Sequence, residues 1–291
     1  MRTGICTTDL ETMPAEKLFT KLNSLGTIVT QLSFASVEET GFVPDGNIEI
    51  PECVDKSVLE LIKACASKCN VEIAAVNGTF NMAHPDADVR KEGLRRFEGF
   101  AQALTFLGCG MISLCSGTRN SKSLWAPHPE NGTEEAWQDM FETVTAAVKI
   151  AERLDIVLAV ETEAANIIDT PEKARRLMDE IGSKNLKMIM DCANLFHIGE
   201  AHAGNVRTVM CHAFELFVRD VVIAHGKDIK ESNGIEFCGT GEGIVDFEYF
   251  AELLRDYGYK GVMFLHGIYE ENKLPAALTF FNFIDKQVCS Q

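Results

Sequence analysis

The stretch that decides the fold runs from residue 156 to residue 191 and reads IVLAVETEAANIIDTPEKARRLMDEIGSKNLKMIMD. It begins with a short apolar run that ends at Glu161 and finishes with a second apolar run that ends at Asp191. Between them, Thr170 and Pro171 favour a helix start, since a threonine oxygen caps exposed amides and proline fits the first helical position. Two short apolar strands joined by a helix predict a parallel β–α–β unit.

The same alternation continues in both directions along the chain. Short apolar runs predict eight strands, at residues 2–7, 27–32, 72–77, 111–115, 156–161, 187–190, 221–224 and 261–265. Helical periodicity is clearest at residues 53–69, 88–107, 133–154, 171–181, 206–218, 246–257 and 270–286. Eight such units without a linker predict one α/β domain, a (β/α)8 TIM barrel spanning residues 1–291. The alternative is a doubly wound open sheet, although no G-x-G-x-x-G motif follows the first strand.

Composition narrows the classes of function. The chain has 291 residues, of which 46% are hydrophobic and 24% charged, as is ordinary for a globular protein. Its formal net charge of −16 disfavours nucleic-acid binding, because such a surface repels phosphates. No membrane span is predicted, and the N-terminus lacks the apolar core of a signal peptide. The 10 cysteines show no C-x-x-C or zinc-finger spacing, which predicts buried thiols in a reducing cytoplasm.

Four polar residues end apolar runs at corresponding places. Glu161 ends the fifth predicted strand, and Asp191, His225 and His266 directly follow the sixth, seventh and eighth. The carboxyl ends of barrel strands surround one mouth, so these side chains are expected to converge. They predict a site for one divalent metal, with Mn2+ or Zn2+ favoured and Co2+, Fe2+ or Mg2+ as alternatives. Taken singly, each carboxylate also fits a helix cap and each histidine a structural role.

Several motifs resemble those of one known family. The segments AVETEAAN at 159–166, MDCANL at 190–195 and HGKD at 225–228 resemble the motifs around strands five, six and seven of the xylose-isomerase-like sugar phosphate isomerases and epimerases. The resemblance continues through SGTR at 116–119 and GTGEG at 239–243, and so covers nearly the whole chain. Relatives within this superfamily include ketose 3-epimerases, inosose dehydratases and apurinic endonucleases.

This resemblance implies roles for the strand-end residues. Glu161, Asp191 and His225 match three metal ligands, and the usual fourth ligand is a glutamate where this chain has His266. In the ketose 3-epimerases, the glutamates of strands five and eight are also the paired acid and base. Asn194 stands where a histidine is usual. Both departures argue against simple ketohexose 3-epimerisation.

The expected function is a divalent-metal-dependent isomerase or epimerase acting on a sugar or sugar derivative. It would move a proton next to a carbonyl whose oxygen the metal polarises. Glu161 is the first candidate for the base, and Glu163, which shares its strand phase, is the second. The alternative is a metal-dependent lyase or dehydratase acting on a keto-sugar derivative at the same site. An apurinic endonuclease, disfavoured by the acidic charge, and a sugar-binding barrel without turnover complete the alternatives.

Further polar residues are predicted to bind the small carbohydrate substrate at the same mouth. They are His84, Arg119, Trp125, His128, Asn194 and Lys227. Trp125 and His128 lie on the long loop at 116–133, where an indole offers an apolar face to a sugar. Structural explanations stay open, such as a turn at His84 and an ion pair at Lys227. The sequence leaves the oligomeric state open, although barrels of this type often pair.

Overall fold

Eight parallel strands close into a barrel in this computed structural model, which describes residues 1–268 and 270–289. The strands are β1 Arg2–Cys6, β2 Val29–Leu32, β3 Glu72–Asn77, β4 Met111–Cys115, β5 Val157–Glu161, β6 Leu186–Asp191, β7 Val221–Gly226 and β8 Val262–Leu265. Strands that are consecutive along the chain are hydrogen-bonded neighbours, and β1 closes the ring against β8, with Ile5 opposite Leu265. The predicted (β/α)8 barrel is confirmed.

Among the described residues, eight α-helices surround the strands. They are α1 Ala15–Ser24, α2 Lys56–Lys68, α3 Ala87–Leu107, α4 Glu134–Leu154, α5 Pro171–Ile181, α6 Val206–Phe217, α7 Phe247–Asp256 and α8 Leu274–Cys289. The sequence analysis did not identify α1, which begins after Pro14 without a side-chain cap. Within the described part of the chain, none of these helices has the length and apolar character needed to span a membrane.

The apolar core has an outer layer and an inner cluster. The large outer cluster joins the helices to the strands and includes Phe19, Phe97 and Phe214, all fully buried. The smaller inner cluster consists of Cys6, Val29, Ala75, Ala159, Ile189, Ile223, Val262 and Phe264. Seven strands contribute to it, which is the arrangement expected for side chains that fill the inside of a closed barrel.

The loop between β7 and α7 is organised around one buried carboxylate. Asp228 is fully buried and accepts hydrogen bonds from the backbone amides of Ile229, Gly241, Gly243 and Val245, at 2.8–3.0 Å. Four amides around one carboxylate fix a loop that otherwise has little regular structure. Because this loop leaves the end of β7, the same interaction holds one side of the barrel mouth in place.

Replacing Asp228 with alanine should therefore destabilise the fold. Four backbone amides, two of them buried, would lose their acceptor, so we expect Asp228→Ala to lower the free energy of unfolding by about 3 kcal/mol or more. Urea unfolding of the metal-free protein measures this value. Asp256→Ala, at an exposed carboxylate at the end of α7, should change it by less than about 0.5 kcal/mol. Equal effects of the two substitutions would contradict the anchoring role.

Candidate metal centre and substrate cavity

Three donors reach the mouth because strand side chains alternate between two faces. Ala159, Ile189 and Ile223 belong to the inner cluster, and the residue two positions further along each strand faces the same way. These residues are Glu161, Asp191 and His225. The structure places all three within their strands, as the last residues of β5 and β6 and the penultimate residue of β7.

Glu161, Asp191 and His225 form one buried cluster, in which one ligand atom from each residue lies within 4.8 Å of the others. His225 Nδ1 is 3.3 Å from Glu161 Oε1 and 3.6 Å from Asp191 Oδ2. Asp191 Oδ1 accepts hydrogen bonds from the amides of Ala193 and Asn194. Its buried Oδ2 has no hydrogen-bond partner among the described residues. An orphaned carboxylate oxygen beside a second carboxylate and an imidazole fits a divalent-cation site.

The cluster is electrostatically incomplete without a cation. Burial alone would lower the pKa of His225, but the neighbouring Glu161 carboxylate, Cys6 and Asp191 together outweigh it and raise that pKa well above its ordinary value. Burial would likewise raise the pKa of Asp191, yet Lys227 and His225 hold it below its ordinary value. Two buried anions thus recruit a proton onto His225. A divalent cation would take the place of that proton.

A hydrogen-bonded chain on the other side of the ring orients His225. Its Nε2 is 3.1 Å from Gln31 Oε1. Gln31 Nε2 donates to Asn77 Oδ1 at 2.9 Å and to Ser113 Oγ at 3.2 Å, so the amide oxygen of Gln31 is left as the acceptor for His225. With Nε2 as the donor, the neutral imidazole presents an unprotonated Nδ1 to the carboxylates. This is the form that binds metal.

His266, the predicted fourth ligand, lies beside the cluster. Its ring centroid is 5.4 Å from that of His225, and its Nδ1 is 3.2 Å from Asp9 Oδ1. The cluster of mutually close ligand atoms in the described structure contains the other three donors and not His266. The role of His266 as a metal ligand stays a prediction.

A cavity of about 310 Å³ lies at this mouth. Several residues that the sequence predicted for the functional site line this cavity. They are Glu161, Glu163, Trp125, Asn194, Lys227, His225 and His266. Asn194 Nδ2 donates to Glu161 Oε1 at 2.8 Å, so this amide supports a carboxylate of the cluster. Lys227 Nζ is 3.6 Å from Asp191 Oδ2 and 3.9 Å from the centroid of the Phe237 ring.

Glu163 faces the cavity from outside the metal cluster. Burial raises the pKa of its carboxyl group, and Lys227 partly opposes the rise. The Glu163 amide donates to the carbonyl oxygen of Ile168, which holds the turn after β5 in place. The backbone at Glu163 is thus fixed, and the pKa of its carboxyl group is shifted towards the range that suits a general base at neutral pH.

The other predicted substrate-binding residues lie outside the cavity lining. Arg119 is buried, and its guanidinium donates to Asp139 of α4 at 2.6 Å. His84 and His128 each use Nδ1 to accept a hydrogen bond from the backbone amide two residues further along. Each residue therefore has a structural contact, and its role in substrate binding stays a prediction.

The sequence analysis missed polar residues at the same mouth. Gln31 and Asn77 each stand two residues after a member of the inner cluster, Val29 and Ala75. A polar residue in the inward phase of an apolar strand was the available signal. Glu49 also lines the cavity but lies in the irregular segment between β2 and α2, where no periodicity indicates which way a side chain points.

Fold and site together define a (β/α)8 barrel with a candidate metal centre at the carboxyl ends of its strands, the face that carries the active site in barrel enzymes. The chain belongs to the xylose isomerase-like TIM barrel family, whose profile matches residues 29–282.

This chain is similar in sequence or in structure to several known proteins. The inosose dehydratase of Glaesserella parasuis serovar 5 (strain SH0165) is 21% identical over 214 residues, which are 67% of this chain and 68% of that protein. A D-tagatose 3-epimerase-like protein superposes with a TM-score of 0.77 at 17% identity, covering 100% of this chain and 99% of that chain. The IolI protein, whose crystal structure holds a zinc atom, superposes with a TM-score of 0.72 at 16% identity, covering 100% and 98%. The structural matches show the shared fold.

Removing the Asp191 carboxylate should abolish metal binding, because its Oδ2, which has no hydrogen-bond partner among the described residues, is central to the cluster. Elemental analysis after reconstitution with Mn2+ or Zn2+ should find about one equivalent in wild type and almost none in Asp191→Ala. Metal retained at wild-type level in this variant would contradict the site. His266→Ala in the same assay tests the fourth ligand, since a true ligand gives a sharp loss of metal.

Gln31 should influence metal affinity without touching the metal. Gln31→Leu removes the acceptor that fixes the tautomer of His225, so we expect the affinity for Zn2+ to fall about tenfold or more. Calorimetric titration measures the affinity. Gln138→Leu, an exposed position on α4, should leave it unchanged. Unchanged affinity in Gln31→Leu would show that Gln31 does not orient His225.

Proposed function

We propose that this protein is a divalent-metal-dependent enzyme that moves a proton next to a carbonyl group of a small carbohydrate. The observation that carries the proposal is the buried cluster of Glu161, Asp191 and His225 beside a cavity that also contains Glu163. The names of an inosose dehydratase and a D-tagatose 3-epimerase-like protein support the same class of substrate. A cytoplasmic location and a homo-oligomeric state stay predictions.

Glu161, Asp191 and His225 would hold the cation, with His266 as the predicted fourth ligand. When bound, a divalent cation supplies a Lewis acid that polarises a substrate oxygen and stabilises developing negative charge. The mixed nitrogen and oxygen donors suit Mn2+ or Zn2+, and the zinc of the IolI protein supports the latter.

Glu163 is the better placed of the two candidate bases. Glu161 Oε1 already accepts a hydrogen bond from Asn194 and lies 3.3 Å from His225 Nδ1, so this carboxylate is engaged within the cluster. Glu163 is outside the cluster, lines the cavity and has a raised pKa. It would take the proton from the carbon next to the carbonyl, and the electron pair of the broken C–H bond would form an enolate.

Two outcomes of that step define the two candidate reactions. Return of a proton to the carbon skeleton gives an epimer or an isomer, which is the first candidate. Loss of a β-hydroxyl group as water gives an unsaturated ketone, as in a lyase or dehydratase. The similarity to an inosose dehydratase favours the second candidate specifically.

Incubation of the Mn2+-loaded protein in D2O with D-tagatose and with an inosose separates the reactions. An isomerase or epimerase should place deuterium in a saturated product, whereas a lyase should release an unsaturated product. Glu163→Gln should lower kcat at least about 100-fold in either case, because the base is removed. Its metal content should remain that of wild type.

The pH dependence gives a second check on Glu163. Only the deprotonated carboxylate accepts a proton, so wild-type kcat/KM should fall as the pH drops through the raised pKa of Glu163. Full activity of Glu163→Gln would transfer the role to Glu161. A metal-loaded wild type that neither exchanges deuterium nor forms product with these substrates would contradict the proposal.

A further inference from the structure

A further carboxylate faces the cavity from the loop between β2 and α2. Glu49 Oε1 accepts a hydrogen bond from Trp125 Nε1 at 2.7 Å, and both side chains line the cavity. The Glu49 amide donates to the carbonyl oxygen of Thr79 at 2.9 Å, which fixes its backbone beside the end of β3. Two long loops, 33–55 and 116–133, thus meet over the mouth, where the amide of Leu124 also donates to the carbonyl oxygen of Gly46 at 2.8 Å and Asn47 Nδ2 donates to that of Ser121 at 3.0 Å.

Glu49 retains most of its capacity to accept hydrogen bonds. A carboxylate offers about four lone-pair positions, and the indole of Trp125 uses one of them. No ion pair of Glu49 occurs among the described residues. Burial raises the pKa of its carboxyl group, and the Trp125 hydrogen bond opposes the rise. A partly desolvated carboxylate beside an empty volume is suited to binding hydroxyl donors.

The charges around the cavity argue against an anionic ligand. Glu161 and Asp191 offset the charge of a divalent cation. Lys227 then shares the cavity lining with the two remaining carboxylates, Glu49 and Glu163. Its ammonium group also lies 3.6 Å from Asp191 Oδ2. The site therefore has no surplus positive charge for a phosphate dianion, whose transfer into a buried site demands one.

We propose that Glu49 and Trp125 form the specificity site of this cavity, and that its ligand is an uncharged polyhydroxylated ketone rather than a sugar phosphate. Glu49 accepts hydrogen bonds from hydroxyl groups distant from the reacting carbon, and the half-exposed indole of Trp125 packs against the apolar face of the ring. The cavity volume lies at the lower end of the range for small-molecule pockets and suits one small ring. This inference rests on the proposed function for the carbohydrate class.

The sequence provides a local reporter for the test. Trp125 and Trp137 are its 2 tryptophans, and Trp137 lies in α4 beneath Arg176, outside the cavity lining. In Trp137→Phe protein loaded with Mn2+, emission from Trp125 can be titrated with D-fructose, D-tagatose and 2-keto-myo-inositol. D-Fructose 6-phosphate is the matched charged probe. At least one neutral ligand should give a saturable change at millimolar concentration, and the phosphate ester should bind at least about tenfold more weakly than D-fructose.

Substitution of Glu49 should selectively weaken binding of the neutral ligand. In the same background, Glu49→Ala should reduce its affinity about tenfold or more, as expected for loss of a charged acceptor. Glu49→Gln keeps an acceptor for Trp125 and should cause a smaller loss. Mn2+ affinity should be unchanged in both variants. Glu52→Gln, an exposed carboxylate on the same loop, should bind like the background protein.

Several outcomes would overturn the inference. They are equal or tighter binding of the phosphate ester, unchanged affinity in Glu49→Ala, and no saturable response to any of the neutral ligands. Failure of the proposed function looks different. In that case, neutral ligands bind through Glu49, but the protein neither exchanges deuterium nor forms product. Turnover of a phosphorylated substrate would instead preserve the proposed enzyme class and overturn this inference.

Discussion

The mouth of this barrel depends on two carboxylates and an imidazole held close together away from water. Glu161, Asp191 and His225 offer ligand atoms within 4.8 Å of one another, and all three are buried. Like charges at such distances repel strongly in a medium of low dielectric constant, so the arrangement requires a positive partner. A proton on His225 and the ammonium group of Lys227 supply it without metal. A divalent cation would do so more completely.

The surrounding structure can be understood as support for this arrangement. Gln31 connects His225 to polar residues of β3 and β4, across the barrel interior. Backbone amides hold one oxygen of Asp191, so that the other is directed into the cluster. The Asp228 carboxylate accepts hydrogen bonds from four backbone amides of the loop after β7. Donors fixed in this way need little rearrangement when a cation binds, which favours affinity and precise placement of the substrate.

The cavity separates the tasks that a carbohydrate enzyme must perform. Its inner end holds the metal cluster, and Glu163 stands beside this cluster as a carboxyl group with a raised pKa. Glu49 and Trp125 come from loops that connect strands to helices and are not part of the barrel strands. Barrel enzymes commonly vary specificity in such loops while the strand ends keep the chemistry. On this view, the acidic lining selects against negatively charged sugars, and the residues at the strand ends determine the reaction.

The sequence by itself determined the barrel and the three strand-end donors. Alternating apolar runs and helical periods are local signals, and a polar residue that ends an apolar strand, such as Glu161 or Asp191, stands out against them. Tertiary structure alone decided the contacts between distant segments. It brought Glu49 to Trp125, Gln31 to His225, and the guanidinium of Arg119 to α4 instead of the cavity. Such contacts depend on how loops and strands that are far apart in sequence pack in space, and the periodicity of the sequence does not predict them.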